Sequence, residues 1–256
     1  MINLNSVVKM AYRETPVLEV ISKKGWYRHD VASLLSEDNN TGVELGVAKG
    51  TYSKRMLDTG RFKRFFGVDV YGDTHDTKEY CDTLNYIGIK DTRYTLLRMD
   101  FDSAVRLFDD NSLDFVYIDG FAHAGEEGGK TLIDWYPKLK AGGVMAGDDY
   151  HSHWPLVIWA VNDFVSKIKG TLYVTTETED DNFSRYPTWF FVKDNETLKP
   201  TLNPLLYKVA MREKKRIQRY RVGLLGSLIS KTESKLKILK LGSFAYRFFD
   251  ILRKFR

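Results

Sequence analysis

Six carboxylates end runs of apolar residues in this chain. Glu44 lies in Gly42-Val43-Glu44-Leu45-Gly46 and Asp69 in Gly67-Val68-Asp69-Val70; Asp100 follows Met99, Asp119 follows Ile118, and the pair Asp148-Asp149 follows Gly147. Asp119, Asp148 and Asp149 come from two strand ends expected to be neighbours, where unpaired like charges are costly. A hard divalent cation such as Mg²⁺ relieves that cost, because it takes oxygen ligands and keeps water positions open. A substrate hydroxyl in one of those positions would be acidified by the metal. The competing account of the same residues is a helix cap plus an ion pair with Lys or Arg.

His123 follows Asp119 in a loop, and His151 directly follows Asp148-Asp149-Tyr150. Either suits a general base on a hydroxyl, since imidazole titrates near neutral pH; His153 is a weaker third. Glu44, Gly46, Asp69 and Asp100 together describe a nucleoside pocket without phosphate-binding features. Asp69 would take ribose hydroxyls, while Met99, Asp100 and Phe101 would meet the base. The competing roles are a turn aspartate at 69 and a helix cap at 100.

These ends need strands to carry them. Strands are expected at 41–45, 65–70, 95–99, 113–118, 143–146, 172–176 and 188–193, with helices at 51–58, 78–87, 103–108, 127–139 and 155–167 between them. Residues 3–37 read as helices, with Val17, Leu18, Val20 and Ile21 at helical spacing. Alternation of this kind makes a doubly wound, mostly parallel α/β sheet of seven strands with helices on both faces. Ligands bind there outside the carboxyl ends of the strands, near the switch in strand order. At the first strand end, Gly46 and Gly50 let a ligand approach backbone N–H groups at a helix N-terminus. Their spacing is not that of a dinucleotide fingerprint.

Composition narrows the classes. The 256 residues fit one domain with an appendage: N-terminal helices over 1–40, a core over 41–200 and a tail over 201–256. The single cysteine, Cys81, excludes a disulfide framework and a cysteine-based zinc site, and points to a reducing, cytoplasmic setting. Residues 201–256 hold 15 Lys and Arg against 3 Asp and Glu, leaving 24 against 31 for residues 1–200. The acidic body argues against nucleic-acid binding there. The tail places Leu236, Leu239, Phe244, Phe248, Ile251 and Phe255 beside basic residues, which suits a helix on an anionic membrane surface. Packing on the body or on a second copy in a homo-oligomer is the alternative, and RNA binding a third.

At these residues the chain resembles class I S-adenosylmethionine-dependent methyltransferases. The resemblance runs from about Thr41 to Lys193 and favours the metal-dependent macrocin O-methyltransferase-like branch, which methylates sugar hydroxyls. Val43 to Gly50 stands as the first motif, and Asp69 and Met99-Asp100 take the ribose- and adenine-contacting positions. Asp114 to Gly120 followed by His123, Glu126 and Trp135, and then Leu139 to Tyr150, are similar to the branch's later blocks. Two residues, Phe121 and Ala122, separate Gly120 from His123 where one is usual.

The resemblance implies a Rossmann-like core that holds S-adenosylmethionine through Glu44, Gly46, Val47, Ala48, Gly50, Tyr52, Ser53, Asp69, Val70, Met99, Asp100, Phe101 and Asp119. It implies Mg²⁺ at Asp119, Asp148 and Asp149, and methyl transfer to a sugar or glycoconjugate hydroxyl with His123 or His151 as base. Tyr71 to Asp76, Trp154 and the loop over 178–187 would admit the acceptor. A catechol-like acceptor and a non-catalytic binding module are the rival functions.

Overall fold

The computed structural model describes residues 4–36, 38–72, 75–179, 185–194 and 198–222. Eight strands form one sheet: β1 (Val20–Lys23), β2 (Asn40–Leu45), β3 (Phe62–Asp69), β4 (Tyr94–Arg98), β5 (Leu113–Ile118), β6 (Leu139–Gly147), β7 (Leu172–Thr175) and β8 (Trp189–Val192). Their order is β1-β7-β8-β6-β5-β2-β3-β4. Only β8 runs antiparallel to its neighbours, β6 and β7. The doubly wound α/β architecture is therefore as expected, with eight strands rather than seven.

The extra strand corrects the helical expectation for residues 17–21. Helix α1 (Leu4–Glu14) stops just before Pro16, which bars helical geometry for the residue preceding it. Val20–Lys23 then pairs in parallel with β7. Four residues are too few for periodicity to separate strand from helix, and the β-branched Val20 and Ile21 favour the strand.

Helices α2 (Thr51–Asp58), α3 (Thr77–Thr83), α4 (Phe101–Ala104), α6 (Lys130–Trp135) and α7 (Pro155–Ile168) cover the sheet. The single helix expected over 127–139 is broken. Gly125, Glu126, Glu127, Gly128 and Gly129 all have positive φ (54°, 51°, 54°, 70° and 86°), so the turn α5 (Gly125–Gly128) winds left-handed before α6 begins. A Cβ at Gly128 would lie 2.7 Å from the Cα of Tyr207, because α8 (Pro204–Val222) crosses this turn.

Side chains alternate between the two faces along the central strands. Val116 and Ile118 join Trp135, Trp159 and Phe164 on one side. Phe115 and Tyr117 join Tyr52, Met56 and Phe65 on the other. The first part of the tail belongs to this body: Leu206, Val209 and Ala210 of α8 are buried. Its later apolar residues, Leu236 to Phe255, lie outside the described residues. No helix among the described residues is long and apolar enough to cross a membrane.

Candidate active site

Strand order reverses between β2 and β5: the chain builds outward through β3 and β4, then returns to the other side of β2. The carboxyl ends of these strands stay in register one residue beyond the ladder. Gly46 N–H donates to Val68 C=O (2.8 Å), Asp119 N–H to Leu45 C=O (2.7 Å), Asp148 N–H to Ile118 C=O (3.0 Å) and Met99 N–H to Asp69 C=O (3.1 Å). These backbone bonds set Asp69, Gly46, Asp119 and Asp148 side by side along one rim.

Gly46 has φ +95°, and a Cβ there would stand 2.0 Å from the Asp119 carbonyl oxygen. Its lack of a side chain is what lets β2 and β5 close at the switch point. Gly50, at φ +74°, precedes α2 and packs against Thr83. Asp69 organises the turn between them: one carboxylate oxygen accepts from Val47 N–H (3.0 Å) and Ala48 N–H (3.1 Å), the other from Tyr71 N–H (2.9 Å). The oxygen that accepts from Tyr71 retains a lone pair for a ligand hydroxyl, while both lone pairs of the other are taken by Val47 and Ala48. Val70 beside it is 44% exposed, which leaves the strand tip accessible.

Other expected cofactor residues have interior partners. Glu44 is buried and receives a hydrogen bond from Ser53 Oγ, which in turn is hydrogen-bonded to the Tyr94 hydroxyl at 3.0 Å. Burial pushes the Glu44 carboxyl up to about 8, partly offset by Ser53 and Arg28. Tyr52 packs on Tyr117, with ring centroids 4.0 Å apart. Asp100 caps α4, accepting from Ser103 N–H at 2.8 Å, so its competing role is realised. Met99 is half-buried and Phe101 is buried against Phe121.

The structure brings Asp119 and Asp148 together, on a residue that the sequence did not single out. Arg28 Nη2 donates to Asp119 Oδ2 at 2.9 Å, and Nη1 to Asp148 Oδ2 at 3.4 Å. The guanidinium lies over the rings of Tyr52 (4.3 Å) and Tyr117 (5.1 Å) and is 5% exposed. The competing account of the aspartates, an ion pair, thus describes two of the three. Asp149, at φ 65°, adjoins them, and burial together with Asp148 and Asp119 pushes its carboxyl up to about 9. Glu126 is buried on the left-handed turn, with its Oε2 unpaired among the described residues, and burial raises its pKa strongly.

Three oxygen donors of this kind suit Mg²⁺ chemically, but a buried guanidinium already stands where two of them converge. The residues as arranged do not fit a resident divalent cation. Among the described residues, no group of three or more His, Cys, Asp or Glu side chains is set to hold a metal.

The histidines gather in an aromatic rim. His123 meets Trp154 edge to face at 4.5 Å, and Trp154 lies 6.2 Å from Tyr186. Tyr186 in turn contacts His151 at 4.8 Å and hydrogen-bonds His153 Nδ1 at 2.9 Å. The additional residue before His123 is absorbed by Phe121, which adopts φ 56° and leads into a 3-10 turn, Ala122–Ala124. His151 Nδ1 accepts from His153 N–H at 3.2 Å, so the neutral ring carries its proton on Nε2. Burial and the neighbouring His153 lower the His151 pKa. His75, before α3, pairs with Glu79 at 2.6 Å and acts on Asp119 through space. Asp73, Thr74 and residues 180–184 of the expected acceptor entrance lie outside the described residues.

Residues 43–150 match a family described as a methyltransferase domain. The matched stretch, which carries the strand ends from Glu44 to Asp149, is thus similar to a methyltransferase domain. An uncharacterized protein of Acanthamoeba polyphaga mimivirus is 26% identical over 152 residues, covering 56% of this chain and 67% of that protein. Spermidine synthase from Thermotoga maritima is similar in structure at 15% identity, covering 72% of this chain and 74% of that one, with a TM-score of 0.49. An S-adenosylmethionine-dependent methyltransferase from Mesorhizobium loti is 21% identical over 46% of this chain and 51% of its own, with a TM-score of 0.38.

Proposed function

We propose that this chain is an S-adenosylmethionine-dependent methyltransferase that acts on a hydroxyl group of a sugar or glycoconjugate. The observation that carries the reading is the run of rings from His123 through Trp154 and Tyr186 to His151, beside Asp119 and Asp149. Flat aromatic faces next to carboxylates suit a polyhydroxylated ring, which offers apolar C–H faces and hydroxyl donors. A catechol would use the same faces, and is the second acceptor to test.

When bound, S-adenosylmethionine supplies a methyl group already activated by its sulfonium. A rim of carboxylates suits that positive charge. Gly46, Val47, Ala48, Gly50, Asp69, Val70, Met99, Asp100, Phe101 and Asp119 would hold it, with Glu44, Tyr52 and Ser53 supporting the turn from beneath. Orientation of the acceptor oxygen provides much of the acceleration in such a transfer. His123 is the better base of the two candidates, because His151 presents an N–H rather than a lone pair at Nε2.

Calorimetry with S-adenosylhomocysteine, followed by a methyl-transfer screen over nucleotide sugars, oligosaccharides, catechols and RNA, tests the reading. We expect saturable binding and turnover with a sugar, abolished in Asp69→Ala and His123→Ala respectively. Turnover confined to catechols or RNA, or no binding of the nucleoside, overturns it.

We propose also that the exposed basic residues Lys208, Arg212, Lys215 and Arg219 of α8 meet an anionic membrane surface, bringing the enzyme to a lipid-linked acceptor.

A further inference from the structure

We propose that Arg28 is the resident cation of the acceptor side of this site, and that the enzyme works there without a divalent metal. The proposal rests on the methyltransferase reading only for naming that side of the rim. Its physical basis is the bridge itself: one planar guanidinium reaches Asp119 at 2.9 Å and Asp148 at 3.4 Å, from two adjacent strands. An arginine fork can serve two carboxylates at once, where a lysine offers a point charge. The aromatic faces of Tyr52 and Tyr117 take its flat sides and replace water around it.

Arg28 is not a wandering surface side chain that a metal would displace cheaply. Its segment is tied to the far side of the sheet. Trp26 stacks on Phe190 with centroids 5.9 Å apart and 8° between planes, and its C=O accepts from Glu177 N–H at 3.0 Å. The C=O of Arg28 accepts from Tyr52 Oη at 3.4 Å. Just upstream, β1 is paired to β7. Expelling the guanidinium would strip a buried charge of both its carboxylates, which is strongly unfavourable. A dication entering with the arginine in place would meet a like charge at bonding distance from the same oxygens.

The arrangement also leaves Asp119 useful. Its side chain is 30% exposed, against 6% for Asp148. Arg28 holds one of its oxygens from behind, which fixes the carboxylate while its open side faces the acceptor. Arg28 is thus a positioning residue, acting on the acceptor through Asp119.

Manganese, whose free paramagnetic signal disappears on binding, reads this directly and needs no substrate. The full chain is titrated with Mn²⁺ to about 1 mM, alongside Arg28→Met and Asp148→Asn. The wild type is expected to bind no Mn²⁺ in that range. Arg28→Met, similar in volume and uncharged, exposes the bare carboxylates and is expected to bind one ion, with a rise in Tm of several degrees on saturation.

One Mn²⁺ held by the wild type and lost in Asp148→Asn overturns the proposal, as does a folded Arg28→Met that binds none. Should Arg28→Met not fold, Arg28→Gln takes its place, and the wild-type titration decides by itself in either case. Nucleoside binding measured by calorimetry is a separate readout, so failure of the methyltransferase reading and failure of this one are distinguishable.

Discussion

At the scale of single residues, burial decides which acids carry charge. Glu44 has a carboxyl at about 8 in the folded protein against an ordinary value of 4.5. Between those values the native state keeps a proton that the unfolded chain has released, so stability falls as pH rises through this window. Below about pH 4.5 Glu44 imposes no such cost. The slope is at most about 1.4 kcal/mol per pH unit. Glu44→Gln should flatten the dependence of the urea midpoint on pH between about 5 and 8; parallel curves for the two proteins would refute the assignment. The same burial logic explains what a sequence could not give. Asp119, Asp148 and Asp149 were legible as a cluster, because each follows an apolar strand. Their partner Arg28 was not, since nothing local distinguishes it from other arginines beside aromatic residues. Its role exists only once residues 120 positions apart meet.

At the scale of elements, the strands of the core were readable because apolar runs alternate with helical ones. The failures fall where a tertiary contact overrides local pattern. Val20–Lys23 is a strand because β7 offers it an edge. The helix expected over 127–139 is broken because α8 needs the backbone of Gly128. Gly128→Val places a side chain against Tyr207 Cα in a backbone conformation unfavourable to valine. We expect it to cost about 2–4 kcal/mol and to raise amide exchange in both α8 and the turn carrying Glu126. Exchange rising in neither element would show that α8 does not brace that turn. The ion pair of Lys214 with Glu127 joins the same two elements and should weaken with them.

At the scale of the whole molecule, an acidic core wears a basic helix, and the two faces of α8 divide that work. Leu206, Val209 and Ala210 anchor it, while Lys208, Arg212, Lys215 and Arg219 face outward. Replacing these four by Glu leaves the buried stripe untouched. Co-flotation with vesicles containing phosphatidylserine should drop about tenfold or more at low salt, with no change for neutral vesicles. Retention unaffected by the charge reversal would remove the membrane reading. The glycine turn and the acidic strand tips were visible in sequence because chemistry forces their residue types. The acceptor was not, because the rings that would receive it come from three separate loops, after β5, after β6 and before β8.

The pairing of β1 with β7 also has a consequence for the order of assembly. Arg28 arrives with the amino-terminal strand, whereas its aspartates belong to the middle of the sheet. A chain regaining its structure that closes β5 on β6 first would juxtapose acids with no counter-ion until the far edge is zipped up. Long-range closure of this kind is slow, so dilute acid, which neutralises those side chains, should hasten refolding of the wild type more than of Asp148→Asn.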